Sequence, residues 1–371
     1  NSLKKISGNK NSRNIFLKNE KTFQENELMK NIALGKTLEL ISKKGSKEFY
    51  EGTITKDMVE SLKDLGGEHS LEDFSKQTTI RSDTIKSNYK NEFIHQCPPN
   101  GPGVTVLIMM KLLEKLNIQN YKFNSIERFH LEAEATKQAY KIREENIGDP
   151  NFANFDLNEI LSDKNINEIY DNINLNSCSD VGDLNIPAHP ETIYLTVVDK
   201  DLNSVSIINS VCYVFGSGIT TNKTGILLHN RGTNFRVEHG HPNCIDGLKR
   251  PLHTIIPGMV IDKNNNATLS YGVMGGQYQP VGQVHVLNNI IDYGMGPQEA
   301  LSFPRAFHFN NIYKLEKSID NKIFNGLKKI GHNVEFIEGT HGGGQAIKIN
   351  RNEGDLIGGS DPRKDGYAKG Y

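Results

Sequence analysis

The sequence has no tryptophan and few cysteines, and its few cysteines lack the spacing of a disulfide scaffold or a redox motif. Four cysteines occur among 371 residues, at Cys97, Cys178, Cys212 and Cys244. They form no CxxC pair, and their density is too low for a small disulfide-rich fold. They are compatible with buried or free thiols and do not identify a redox compartment.

Long apolar runs and a strong charge of either sign are also missing. No stretch approaches the roughly 20 apolar residues that a membrane-spanning helix needs. The formal net charge is −1, from 43 Lys and Arg against 44 Asp and Glu. Because the charges nearly cancel, no general attraction to nucleic acid or to an anionic membrane is expected.

Several motifs that would assign a chemistry are absent. There is no GxxxxGK[ST] loop and no GxGxxG after a strand, so tight turns are the simpler interpretation of most glycine clusters. Zinc is one interpretation of His229, His239, His241 and His253, with Cys244 close to His241. Their spacing matches no common zinc pattern and no second ligand pair follows, so neither a metal nor a cofactor is expected.

The pattern of apolar residues divides the chain into a helix-rich part and a β-rich part. Helices are predicted at 104–116, 126–145 and 281–293, the last with Pro280 at its start. Residues 174–190 contain Ser, Asn, Asp, Gly and two prolines without helical periodicity, which indicates an exposed linker. After it, alternating and β-branched runs predict strands. These are 192–199, 204–210, 226–228, 259–262 and 267–274.

The dipeptide Glu191-Thr192 joins this linker to the first predicted strand. One interpretation is an ordinary threonine at the edge of a strand. The other is a threonine that becomes a new N-terminus, with its hydroxyl as nucleophile and its own α-amine as base. The sequence has no Gly-x-Ser-x-Gly elbow and no cysteine in a protease-like context, so Thr192 is the candidate nucleophile.

The pair Gly275-Gly276 lies between a predicted strand and a predicted helix. Backbone N–H groups at such a junction lie at the positive, N-terminal end of the helix and can point outward. They are therefore suited to bind an oxyanion. This pair is therefore a candidate oxyanion site, whereas Gly216, Gly218 and 342–344 are interpreted as turns.

Read in order, the motifs resemble the gamma-glutamyltranspeptidase family of N-terminal-nucleophile hydrolases, roughly from residue 25 onward. Each motif is short, but the ordered set is specific. The resemblance is carried by the segments 98–103, 134–137, 148–150, 192–199, 215–218, 225–228, 249–251, 275–276, 360–363 and 370–371.

The resemblance implies an α+β fold, a four-layer αββα sandwich, made by a precursor that cuts itself at Glu191–Thr192. Residues 1–191 would be the C-terminal portion of the large subunit and end in the exposed linker. Residues 192–371 would be the small catalytic subunit. The N-terminal part of the large subunit, with the arginine that binds the substrate α-carboxylate, is expected to be missing from this sequence.

The catalytic residues that the resemblance implies are few. Thr192 would be the nucleophile, and Ser210 would be the second hydroxyl that orients it. The N–H groups of Gly275 and Gly276 would hold the oxyanion.

The implied substrate-binding residues depart from the family pattern. Asn234 stands where the best-known members have an acidic residue, and Arg231 stands near it. Cys212 replaces an amide residue, and His253-Thr254 replaces a Ser-Ser pair. Loss of a carboxylate from an ammonium pocket should change substrate preference more than catalysis.

Three functions stay open at this stage. The first is a gamma-glutamyltransferase and hydrolase acting on γ-glutamyl amides such as glutathione. The second is an acylase-like amidohydrolase for glutaryl-type or poly-γ-glutamyl substrates, and the third is an inactive truncated or unprocessed fragment. The two subunits would come from one precursor, and a homodimer of processed heterodimers is one assembly the resemblance allows. A cytoplasmic and a periplasmic or secreted location are both open.

Overall fold

The structure, a computed structural model, describes residues 2–184, 186 and 192–371. It has two compact units, Asn1–Ser82 with Val211–Arg231 (the first unit) and Asp83–Ser210 with Gly232–Tyr371 (the second unit). The predicted division at Glu191/Thr192 concerns a break in the covalent chain and stays a prediction. Glu191 lies outside the described residues.

The first unit is mainly helical. Its elements are α1 Ser2–Ser7, α2 Lys10–Phe16, β1 Leu17–Lys18, β2 Lys21–Thr22, α3 Ile32–Lys44, α4 Ser46–Glu51, α5 Thr53–Lys63 and α6 Leu71–Ser75. The buried carboxylate of Asp57 accepts hydrogen bonds from the backbone N–H groups of Lys223 (3.0 Å) and Thr224 (2.7 Å). These bonds attach the segment 211–231 to α5.

One predicted strand is wrong in this unit. Residues 226–228 form no strand, and Leu227 makes only an isolated antiparallel bridge with Thr220. Gly225, directly before the run, has a left-handed φ of 67°, so the backbone turns there and is not extended.

The second unit contains the remaining strands and helices. They are β3 Ile85–Tyr89, β4 Glu92–Gln96, α7 Gly103–Lys115, α8 Ile126–Asn146, α9 Leu157–Ile160, α10 Asp163–Tyr170, β5 Ile193–Val198, β6 Ser204–Asn209, β7 Gly258–Asp262, β8 Ala267–Met274, α11 Gln279–Ile291, α12 Pro297–Ser302, β9 Ala306–Phe309, β10 Ile312–Glu316, α13 Asn321–Lys329, β11 Val334–Ile337, β12 Gly343–Asn350 and β13 Asp355–Ser360.

A six-stranded antiparallel sheet in the order β13-β12-β8-β7-β4-β3 forms the centre of the second unit. Strand β8 is buried along its last six residues, so both of its faces are covered. Helix α11 packs on one face and the β5–β6 hairpin packs on the other. The mixed helices and stacked β layers confirm the predicted α+β class.

The β5–β6 hairpin turns its polar and aromatic side chains toward the six-stranded sheet. The Tyr194 hydroxyl shares a hydrogen bond with Ser206 (2.7 Å), and the Thr196 hydroxyl shares one with Ser270 of β8 (2.6 Å). A Cβ on Gly272 would lie 2.3 Å from the Tyr194 ring, so only glycine leaves room for that ring. Burial raises the pKa of Tyr194 to about 12, although neighbouring hydroxyls lower it, so the phenol is neutral at physiological pH.

The outward face of the same hairpin is aliphatic and exposed. Its side chains are Ile193, Leu195, Val197, Val205 and Ile207, with exposed fractions from 48% to 75%. In a typical half-buried strand pair the apolar face packs on the core and the polar face is exposed, so this hairpin has the opposite arrangement.

Helices α7 and α8 pack against each other beneath the sheet. Helix α7 is buried around almost its whole circumference, as its apolar sequence predicts. Helix α8 is also largely buried, but several of its buried side chains are charged and pair with one another or with α11. Among the described residues, no helix is long and apolar enough to cross a bilayer.

The buried Glu132 carboxylate should contribute stability that acid removes. It contacts Arg128 Nε (2.9 Å) and His285 Nδ1 (3.1 Å). Burial alone would raise the pKa of Glu132, but Arg128 and His285 lower it to about 2. Because this pKa lies below the ordinary value, the stabilisation is present above about pH 4.5 and is lost as the pH falls toward 2.

We expect Glu132→Gln to lower the free energy of unfolding by about 3–5 kcal/mol at pH 7, because it leaves the Arg128 guanidinium buried without its partner. Urea unfolding at pH 7 and pH 3 measures this, and the difference from wild type should shrink at pH 3. Glu145→Gln, on the same helix with a side chain 57% exposed, is the control and should change little. An equal difference at both pH values would contradict the pairing.

Candidate active site

Thr192 lies immediately before β5, with only 9% of its surface exposed. The hairpin register ends at the pair of Ile193 and Asn209, so Thr192 precedes one strand and Ser210 follows the other at the open end. The hairpin therefore brings the two predicted hydroxyl residues to the same end of the strands.

The Gly275-Gly276 turn follows β8 and leads into α11 through a 3₁₀ helix, Gly276–Tyr278. Gly275 has a φ of 126°, and a Cβ there would lie 2.8 Å from the Cα of Gly342. Both observations require glycine at this position. Because the turn lies at the N-terminal end of α11, its N–H groups are suited to developing negative charge.

Helix α8 holds this turn in place. The Arg143 guanidinium, which is fully buried, donates to Oε1 of Gln277 (3.0 Å), and the Tyr140 hydroxyl donates to the Gln277 carbonyl. The Tyr278 ring stacks on His341 at a centroid distance of 5.2 Å. The candidate oxyanion site is therefore fixed by buried contacts from other elements, which favours a preorganised geometry.

Gln279, the first residue of α11, connects the turn to Thr192. Its side-chain Nε2 donates to Thr192 Oγ1 (3.2 Å), and its Oε1 accepts from the backbone N–H of Ile256 (3.3 Å). Gln279 is fully buried. Sequence reasoning missed it, and its signal is weak: a polar residue directly before Pro280 at the start of an apolar helix.

The predicted substrate residues Asn234, His253 and Thr254 lie on two neighbouring segments of the second unit. Asn243 joins these segments, since its Nδ2 donates to the Asn234 carbonyl (2.7 Å) and its Oδ1 accepts from the N–H of Leu252 (2.7 Å). The His253 backbone N–H donates to the carbonyl of residue 100 (3.1 Å), and Thr254 is 1% exposed. Asn243 was not predicted.

The side-chain amide of Asn234 is buried, and no group among the described residues hydrogen-bonds it. An unsatisfied buried polar group costs about 1–3 kcal/mol, so such a group calls for an explanation. A bound ligand that supplies the missing partners would be one.

Arg231 and Cys212 belong to the first unit, whereas the residues above belong to the second. Within the first unit, the backbone N–H of Arg231 donates to Nδ1 of His229 (3.0 Å). Burial lowers the pKa of Arg231, and the nearby Cys212 raises it in part. Burial and the Arg231 charge also lower the pKa of His229.

Among the described residues, one cluster has side chains close enough together to bind a metal ion. It contains none of the histidines His229, His239, His241 and His253. It is formed by His130, Glu134 and His332, whose ligand atoms lie within 4.8 Å of one another. These groups already have partners. His130 Nδ1 and His332 Nε2 are 2.8 Å apart, and the Lys137 ammonium contacts Glu134 (2.6 Å). This hydrogen bond and ion pair engage the facing nitrogens of the two histidines and the Glu134 carboxylate.

The fold is of the N-terminal-nucleophile hydrolase type. The solved structure of a cephalosporin acylase from Bacillus halodurans is similar, with a TM-score of 0.87 and 29% identity over 97% of this chain and 66% of that chain. Residues 1–371 match the family model of gamma-glutamyltranspeptidase. The chain belongs to the gamma-glutamyltranspeptidase family, as its motifs predicted.

Two curated relatives extend this comparison. A glutathione hydrolase-like proenzyme of Bacillus subtilis (YwrD) is 34% identical over 91% of this chain and 65% of its own length. The glutathione hydrolase proenzyme of Escherichia coli is 29% identical over 99% of this chain and 66% of its own length. The chain thus spans just under two thirds of the length of these relatives.

Proposed function

We propose that the full-length protein is a self-processing enzyme that cleaves γ-glutamyl amides such as glutathione through an acyl-enzyme on Thr192. The observation that carries the proposal is the Thr192 residue, which is buried directly before the hairpin and whose hydroxyl accepts a hydrogen bond from the start of α11. The names of the two glutathione hydrolase relatives support the substrate class.

The first reaction matures the precursor. The Thr192 hydroxyl attacks the carbonyl carbon of Glu191, and the C–N bond between the two residues breaks. The acyl group now forms an ester with Thr192 Oγ1, and the proton lost from the hydroxyl goes to the released amine. Water hydrolyses the ester, which leaves a carboxylate on Glu191 and a free α-amine on Thr192.

The second reaction uses the new α-amine as the base. The unperturbed pKa of an α-amine is about 7.7–8.0, so a large fraction is neutral near pH 8 and can take the hydroxyl proton. Thr192 Oγ1 attacks the amide carbon, the C–N bond breaks, and the amine leaves with that proton. Water or an acceptor amine then takes the acyl group from Thr192. This chemistry requires no cofactor.

Two other groups have defined roles in this scheme. The Gly275 and Gly276 N–H groups stabilise the oxyanion, a contribution of about 3–4 kcal/mol per donor. The Ser210 hydroxyl orients Thr192 Oγ1. Arg231, His253 and Thr254 are proposed to contact the acyl group or the leaving amine.

A second candidate function is that of an acylase for dicarboxylic monoacyl amides of the glutaryl type, or for poly-γ-glutamyl chains. Asn234 favours it, because a neutral amide attracts an α-ammonium group less than the acidic residue of the best-known family members. The likeness to a cephalosporin acylase also supports this candidate. Both candidates use the same Thr192 chemistry and differ in the acyl group.

We expect wild-type full-length protein to give two fragments that meet at Glu191/Thr192, and Thr192→Ala to stay a single chain because the attacking hydroxyl is gone. Denaturing electrophoresis with intact-mass measurement checks this. Thr196→Ala, on the same strand, removes a hydroxyl that bonds Ser270 and should still be cut. A wild-type protein that stays uncut after long incubation would reject the maturation step and leave an inactive precursor.

We expect Asn234→Asp to raise kcat/KM for glutathione relative to a glutaryl amide by about 10- to 100-fold, because a charge-assisted bond to the α-ammonium group is added. Paired assays of both substrates measure the ratio. Asn264→Asp, in an exposed turn, is the control. An unchanged ratio of the two kcat/KM values would show that Asn234 does not contact the acyl group. If wild type turned over no γ-glutamyl amide, the first candidate function would be rejected.

A further inference from the structure

We propose that Gln279 is a positioning residue that directs the Thr192 hydroxyl proton toward its base. The inference rests on the proposed role of Thr192 and adds a residue that the family resemblance did not supply. Gln279 contacts the reacting oxygen by a hydrogen bond of 3.2 Å, from a side chain with no exposed surface.

The orientation of the Gln279 amide follows from its second contact. A glutamine side chain has a donor end and an acceptor end that are similar in shape. The backbone N–H of Ile256 can only donate, so the end that faces it must be Oε1. The end that faces Thr192 is therefore the Nε2 donor.

A donor at this position restricts the threonine hydroxyl. The hydroxyl has one proton and two lone pairs, and the Gln279 N–H occupies one lone pair. The Thr192 O–H must then point away from Gln279, and the α-amine of mature Thr192 is available as its acceptor. When the proton leaves, the same N–H stabilises the negative charge that develops on Oγ1.

Through its contact with Ile256, Gln279 also holds the segment that carries the proposed substrate residues His253 and Thr254. Ile256 follows His253-Thr254 by two residues, so Gln279 holds that segment and the nucleophile with one amide group. The segment is held a second time one helical turn later. There Gln283 donates to the Ile256 carbonyl and accepts from Gln96 (2.7 Å).

Gln283 is a matched control for this reason. It has the same side chain on the same helix, is also fully buried, and binds the same residue. The bonds described for Gln283 go to Ile256 and Gln96, whereas Gln279 also reaches Thr192. If substitution lowered kcat only by loosening the 252–256 segment, the loss of kcat should be similar at Gln279 and at Gln283.

The test compares Gln279→Met, Gln279→Glu and Gln283→Met in the full-length protein. Glutamate keeps an acceptor for the Ile256 N–H, but its ionised form has no donor for Thr192. We expect both Gln279 variants to lower kcat at pH 8.5 and the rate of self-cleavage by about 10- to 100-fold, with KM changed less than about 3-fold. Gln283→Met should lose thermal stability, and its loss of kcat should be at least about 3-fold smaller than that of Gln279→Met.

Two results would overturn the proposal: Gln279→Glu with the kcat of wild type, or equal losses of kcat for Gln279→Met and Gln283→Met. If wild type neither cuts itself nor turns over substrate, the proposed function fails. Crystal structures of wild type, Gln279→Met and Gln283→Met then test whether Gln279 positions Thr192. Displacement of Thr192 Oγ1 in Gln279→Met, but not in Gln283→Met, would support the positioning role. An unmoved Thr192 in both variants would reject it.

Discussion

The packing of the Tyr194 ring over Gly272 is the contact on which the candidate site depends. It fixes the β5–β6 hairpin against the central strand β8, because a side chain at Gly272 would occupy the space of the ring. Thr192 precedes the hairpin by one residue and Gly275 follows β8 by one residue. One contact between two β layers therefore brings the start of β5 close to the end of β8. Thr192, the proposed nucleophile, and Gly275-Gly276, the proposed oxyanion site, therefore lie at the same end of the two packed layers.

Buried hydrogen bonds further fix the residues around the candidate site. Arg143 and Tyr140 hold Gln277 in the turn, Gln279 connects Thr192 to Ile256, and Asn243 connects Asn234 to Leu252. Buried polar groups are costly unless they are satisfied, so each bond restricts the geometry strongly. The Asn234 amide differs, since no partner for it occurs among the described residues. A substrate that supplied partners for the Asn234 amide would remove this cost.

Much of the fold could be predicted because the signals are local. The apolar run predicted at 104–116 is α7, Gly103–Lys115, and the helix predicted at 126–145 is α8, Ile126–Asn146. The class and the family were also predicted, since ordered motifs extend along nearly the whole chain. The helix expected from Val281 begins two residues earlier, at Gln279, because the 3₁₀ turn leads directly into it.

The features that could not be predicted depend on tertiary contacts. Apolar side chains of β5 such as Leu195 suggest an inward face, yet Tyr194 and Thr196 face the sheet and Leu195 is exposed. The packing of 211–231 with the first 82 residues has no sequence signal, since Asp57 and Thr224 are distant along the chain. Gln279 was missed for the same reason, because its partners Thr192 and Ile256 come from separate segments.

We propose that Thr192 carries the acyl group during turnover. The most direct measurement is peptide mass spectrometry of the full-length enzyme, acid-quenched during steady-state turnover of a γ-glutamyl or glutaryl amide. We expect a peptide that begins at Thr192 and is heavier by the mass of the acyl group, with the added mass located on that residue. An acyl group on another residue, or turnover without any acylated peptide under conditions that preserve esters, would contradict it.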